Sequence, residues 1–189
     1  MTYGANFIQT IVNASAASTW EAAVCEWEII GCIEDPTHSE SCVCGHEHLR
    51  YIFTIENLLN GNVITNIGSS CIKKFERDEL NNDATCWKMV FKLISLASKA
   101  GNLLKVPFEA PYYSRKLLWF FYEHDVFKAT RCNGYDEFAD YEFMIDMFNA
   151  RNRTTAQNRK VNAILEYNVR PFLIDVWRES KGQTKQRER

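Results

Sequence analysis

The placement of three cysteines restricts this chain more than any other feature. Cys42 and Cys44 lie in C-V-C-G-H-E-H at 42–48, and Cys71 lies in G-S-S-C-I-K-K-F at 68–75. Gly45 permits a tight turn around the first pair. The intervening segment reads as a hairpin, and Ser69 or Ser70 can cap a helix opening near Cys71. A thiolate at a helix start is favoured by free N–H groups and by the dipole. A knuckle, a hairpin and a ligand on a helix start make the topology of treble-clef zinc modules. Zinc suits such a set, because it takes thiolate and imidazole ligands in tetrahedral geometry at ~2.0–2.3 Å. A site of this kind contributes folding energy directly.

The fourth ligand is less determined. A standard treble clef would draw it from three residues after Cys71, where Lys74 stands and cannot serve. His48 and His46 adjoin the knuckle and are preferred; Cys32 and His38 follow. The expected set is therefore Cys42, Cys44, Cys71 and His48 around one structural Zn2+. A water in the fourth place would make an open, catalytic-type site, for which only Glu47 offers a nearby acid–base partner. Cys25, Cys86 and Cys132 need no metal, since free cysteine commonly fills core space. An iron–sulfur cluster generally takes four cysteines.

The rest of the chain is ordered around that segment. Ser15 to Trp27 has helical spacing, and Glu28 to Glu34 reads as a strand. Asp35-Pro36 ends it and opens a polar loop. Arg50 to Asn57 and Asn62 to Ile67 read as strands joined by an Asn60-Gly61 turn. Helices are expected over Ala84–Ala100, Ser114–Glu123, Tyr135–Ala150 and Ala156–Val169, with a kink or restart at Pro171. The fold class is α+β. The expected divisions are a zinc-binding α+β module at 1–83, an all-helical half packed on it at 84–180, and a flexible charged tail at 181–189.

Composition excludes several classes. The 189 residues are 46% apolar, with twelve Phe, eight Tyr and five Trp, enough for a substantial core and too apolar for disorder. A formal net charge of −2 argues against a bulk electrostatic hold on nucleic acid. No apolar run reaches the ~18–20 residues that span a bilayer. Met1 to Asn13 lacks a basic leader before an apolar core, so no signal peptide is expected. Seven cysteines, an odd number, fit thiols in a reducing compartment. The chain is expected in a cytoplasm.

Catalytic signatures are missing. The sequence has no G-x-S-x-G, no Gly-rich phosphate loop and no H-E-x-x-H, and His46-Glu47-His48 has the wrong spacing for a helical metalloprotease. The chain is expected not to be an enzyme. Two charged surfaces stand out. Asp136, Glu137, Asp140, Glu142 and Asp146 are interleaved with aromatics and would cover one side of a helix. They read either as a solvated face or as a patch that docks on a basic, nucleic-acid-binding protein. Lys73, Lys74, Arg77, Arg151, Arg153, Arg159 and Lys160, with Arg178, Lys181, Lys185, Arg187 and Arg189 of the tail, are solvated charges, or they touch phosphates.

Larger blocks resemble a known group. E-W-E-I-I at 26–30, C-V-C-G at 42–45, L-R-Y-I-F-T-I-E-N at 49–57, I-G-S-S-C-I-K-K-F at 67–75 and E-F-M-I-D-M-F-N-A-R-N at 142–152 resemble small proteins of phages and mobile elements of Gram-positive bacteria. The sequence is also similar to metal-containing anti-CRISPR proteins directed at type II-A systems. That resemblance implies an inhibitor that binds the host's Cas9 nuclease in the bacterial cytoplasm and blocks productive loading of target DNA. The alternative is a zinc-dependent nucleic-acid-binding accessory protein of a phage or mobile element.

Overall fold

Three strands pair in chain order: β1 (Trp27–Glu34), β2 (Tyr51–Asn57) and β3 (Val63–Gly68) form one antiparallel sheet. The structure is a computed structural model that describes residues 3–187. All three strands follow β-branched and aromatic runs and lie within a residue or so of the ranges expected from the sequence. The fold is α+β, with this sheet in the first half and a helical second half. Two compact units divide the chain. One takes in the chain up to Trp87 together with the segment from Glu179 onward, and the other is Lys88–Arg178.

In the first unit, α1 (Tyr3–Ala14) precedes α2 (Trp20–Ala23), which passes through a 3-10 turn at Val24–Glu26 into β1. The expected helix over Ser15–Trp27 is thus reduced to a short core. Residues 15–19 form a bend between α1 and α2, and there the buried Glu26 carboxylate takes the Ala16 and Ala17 N–H groups at 2.7 and 2.8 Å. The same carboxylate accepts Asn57 Nδ2 at 2.6 Å, and Asn57 Oδ1 in turn holds the N–H groups of Leu59 and Asn60 in the hairpin turn. Asn57 first, followed by Ala16 and Ala17, holds the Glu26 carboxyl below its usual range against its burial. Phe7 meets Trp20 and Phe75 edge to face, and Trp20 and Phe75 are tilted at 44°, with ring centroids 5.7–6.1 Å apart. Phe53, Ile55, Ile67 and Ile72 complete the buried floor.

The β2–β3 register slips between Phe53 and Ile55, and Asn66, on the opposing strand, sits at a left-handed φ of 61°. This is a bulge, which bends a strand and redirects its main chain. Gly68 then leads into α3 (Ser69–Ile72), a single turn continued by a 3-10 turn at Lys73–Phe75.

The long α4 (Asp78–Ala100) begins six residues before the expected Ala84, with Asp78 and Glu79 in its first turn, where carboxylates favour the helix dipole. The second unit continues with α5 (Arg115–Glu123), α6 (Glu137–Asn149), α7 (Thr155–Ile164) and α8 (Arg170–Arg187). Ser114, Asp136 and Thr154 cap the first three by accepting N–H bonds. A π turn at Leu165–Val169 connects α7 to α8 just ahead of Pro171, whose ring removes one donor from the ladder. Leu117, Leu118, Phe121, Met144, Leu165 and Val169 lie in the core of this unit. Of the tail expected at 181–189, α8 carries on to Arg187, and residues 188–189 lie outside the described residues. No helix among the described residues is long and apolar enough to cross a membrane.

Candidate metal centre

Cys42 and Cys44 sit on the loop ahead of β2, and Cys71 sits on α3, directly after β3. The loop is a knuckle: Gly45 N–H closes on the Cys42 carbonyl at 2.7 Å and Cys42 N–H on the His46 carbonyl at 2.7 Å. Gly45 takes a φ of 93°, which an L side chain rarely adopts. The bulged Asn66 of β3 lends its carbonyl to Val43 N–H at 2.9 Å, fixing the knuckle against the hairpin. An isolated bridge between Glu40 and Leu49 closes the loop behind it. Asp35 holds the approach, accepting the N–H groups of Thr37, Ser39 and Glu40 at 2.9, 2.8 and 3.3 Å, together with the Thr37 and Ser39 hydroxyls.

The three sulfurs converge. Cys42 Sγ and Cys71 Sγ are 3.5 Å apart, and all three lie within 4.8 Å of one another and are buried. Ligands ~2.3 Å from a tetrahedral ion stand ~3.8 Å from each other. The spacing therefore fits a single ion of that size with little movement, and the cluster can hold a metal. Cys25 and Cys132 are exposed and Cys32 and Cys86 buried, and none belongs to the cluster.

The thiols of Cys42 and Cys71 titrate as a pair that shares one hydrogen bond. The hydrogen bond from Cys71 and then the N–H groups of Cys44 and Gly68 hold the Cys42 thiol down to about 5, against burial that pushes it up. The Cys71 thiol is pushed well above the ordinary range by its bond to Cys42, then by burial and by Cys44. A divalent cation reverses this, because it draws protons from all the sulfurs at once.

A cleft of about 170 Å³ opens beside the sulfurs, lined also by His46, His48, Arg50, Tyr51, Ser69 and Ser70. Both preferred histidines thus face the site's opening. Among the described residues, no histidine nitrogen joins the sulfur cluster itself. His48 Nδ1 lies 3.2 Å from the His38 carbonyl oxygen, and both residues hold left-handed backbone, at φ 65° and 55°. Cys32 lies on β1 opposite Phe53, with its thiol 3.7 Å from the Ile33 carbonyl. Lys74, at the place of a standard fourth ligand, sets its Nζ 5.8 Å from the Phe7 ring centroid.

Gly68 is the residue the cysteine spacing did not bring to notice. Its N–H reaches Cys42 Sγ at 3.3 Å, and a Cβ there would meet Leu49 Cδ2 at 2.8 Å. The G-S-S ahead of Cys71 reads as helix capping and conceals this second use of the glycine.

The acidic face needs one correction. Asp136, Glu137, Glu142 and Asp146 are exposed on and beside α6, but Asp140 is buried. It pairs with Lys160 at 3.1 Å and accepts Asn133 Nδ2 at 3.0 Å, so it holds helices together instead of meeting solvent. Some of the basic residues are drawn inward as well, while Lys73, Arg151 and Arg159 stay exposed. Arg77 donates to the Trp27 carbonyl at 2.6 Å, and the Arg153 guanidinium lies 5.5 Å from the Phe108 ring centroid.

No protein-family model, curated protein or solved structure matches this chain.

Proposed function

We propose that Cys42, Cys44 and Cys71 hold one structural Zn2+ in a treble-clef-like arrangement, completed by His48, and that the chain is a binding protein and not an enzyme. In this reading it is a phage-type inhibitor that engages a host nuclease, by its resemblance Cas9, and prevents productive loading of target DNA. The observation that carries the metal is the convergence of three buried sulfurs from the knuckle and from the turn after the hairpin. Zinc is favoured by the donor set, three thiolates with imidazole at hand. The His48–His38 contact supports the fourth ligand: a proton on Nδ1 directed to a carbonyl leaves Nε2 as the metal-binding nitrogen, a common arrangement around zinc-ligating histidine.

The partner class rests on the resemblance of the C-x-C-G and G-S-S-C-I-K-K-F segments. Lys74, Arg77, Arg153 and Lys160 are engaged within the protein, which leaves Lys73, Arg151 and Arg159 as the exposed cations of that set and favours the first reading over the nucleic-acid-binding alternative. The test is a target-cleavage assay with guide-loaded Cas9 and the purified chain, alongside gel filtration of the mixture. Co-elution and loss of cleavage support the proposal. Uninhibited cleavage, with the chain retained on DNA at low salt and released at high salt, supports the accessory-protein alternative.

A further inference from the structure

The second unit carries an ordered aromatic surface that its own core does not use. Trp119 and Tyr122 of α5 meet Phe138 and Tyr141 of α6, with ring centroids 5.3–5.5 Å apart around the group. Arg115 clasps Asn149 Oδ1 at 2.9 and 2.7 Å where the start of α5 meets the end of α6, so the two helices run antiparallel with the rings as their outer seam. Trp119 remains 43% exposed and Phe138 38%. Rings that brace one another in this way lose little freedom when a partner lands on them, and aromatics of this kind dominate binding energy at interfaces.

Charge decides which occupant fits. Glu123 follows Tyr122 on α5, Asp136 caps α6, and Glu137, Glu142 and Asp146 lie on α6 with Phe138 and Tyr141; all five carboxylates are exposed and outnumber Arg115 and Lys116, the exposed cations at the start of α5. Among the described residues, no Lys, Arg or His nitrogen comes within 4.0 Å of any of these carboxylates. Ring faces attract cations within ~6 Å, and adjacent unneutralised carboxylates add to that attraction. A second copy of the chain would bring the same negative rim against itself. We propose that this seam is a docking surface for an arginine- or lysine-bearing segment of a partner protein. The inference rests on the reading of the chain as a binding protein, but on neither the metal nor Cas9.

The experiment titrates the full chain into fluorescein-labelled octa-arginine, with octa-glutamate as control, in roughly physiological salt. Saturable binding of octa-arginine alone is expected. Trp119→Ala should weaken it at least about fivefold, the loss that marks an interface anchor. The exposed pair E142K/D146K should weaken it at least about tenfold with the far-UV spectrum and melting temperature unchanged, which separates docking from folding. Octa-arginine that fails to bind, or binds the charge-reversed pair as well as the parent, overturns the proposal. So does sedimentation showing the seam buried in a dimer of the chain alone. Intact arginine binding with no effect on Cas9 would remove the partner named above and leave this surface standing.

Discussion

Cys42 and Cys71 bring their sulfurs to 3.5 Å across 29 residues of chain that include a complete β-hairpin. One is held by a knuckle and the other by the turn that follows β3, so an ion bound between them ties the two ends of the hairpin together.

Loss of Cys71 should therefore cost far more than loss of an exposed cysteine. Cys71→Ser is expected to lower stability by on the order of 4 kcal/mol or more, the range associated with losing a metal. At about 2–4 °C per kcal/mol for a chain of this size, the melting temperature should fall by roughly 10 °C. Cys25→Ser and Cys132→Ser, both at exposed positions, should stay within about 0.5 kcal/mol of the parent. Thermal melts of the three variants, monitored by circular dichroism, make the comparison.

Gly68→Ala tests the packing behind the site. The added methyl would stand 2.8 Å from Leu49 Cδ2, so the buried Leu49 side chain must shift to admit it. A loss of about 1–2 kcal/mol is expected, typical of mild overpacking. Metal affinity should fall too, because the Gly68 N–H that supports Cys42 shifts with the backbone. Denaturant titration and competition with a zinc chelator measure the two effects.

Much of this site was legible in the sequence because its information is local. Cys-x-Cys-Gly specifies a knuckle by chain geometry, and the β-branched runs around Asn60-Gly61 specify a hairpin. What was hidden depends on residues distant in sequence. Asp140 looked solvent-facing from helical spacing, and only its meeting with Lys160 of α7 makes it a buried ion pair. The helix expected over Ser15–Trp27 shortened to Trp20–Ala23, and the bend before it is held by Glu26 through two backbone donors ten and nine residues upstream, a pairing no propensity scale contains. The bulge at Asn66 is equally silent, since its use is to reach Val43 on a different segment.

Asp35 gives a pH dependence with a definite sign. Burial is the largest influence and raises its carboxyl, but the bonds from Thr37 and Ser39 together outweigh it and hold the group at about 2, against an ordinary 3.8. A depressed carboxylate stabilises the fold above its unfolded value, and that contribution disappears as pH falls through the folded one. The parent should thus exceed Asp35→Asn by on the order of 1–2 kcal/mol above about pH 4. The gap should close as pH falls from about 4 to about 2. Urea titrations of both proteins at pH 5 and pH 2 read it directly.

Lys160→Ala should strand the Asp140 carboxylate in a buried position with only Asn133 as a partner. Breaking a fully buried pair costs about 3–5 kcal/mol; Lys160 is partly exposed, so about 1–2 kcal/mol is expected here. Lys160→Ala combined with Asp140→Asn should recover part of the loss, because no unpaired charge remains. A double-mutant cycle by thermal melting checks both values.

The most direct test of the central claim is elemental analysis of the purified chain, made without added metal and desalted before measurement. Close to one zinc per chain, released together with titration of the Cys42, Cys44 and Cys71 thiols, is the predicted result. Folded protein carrying no bound transition metal, with those three thiols freely titratable, would contradict the account.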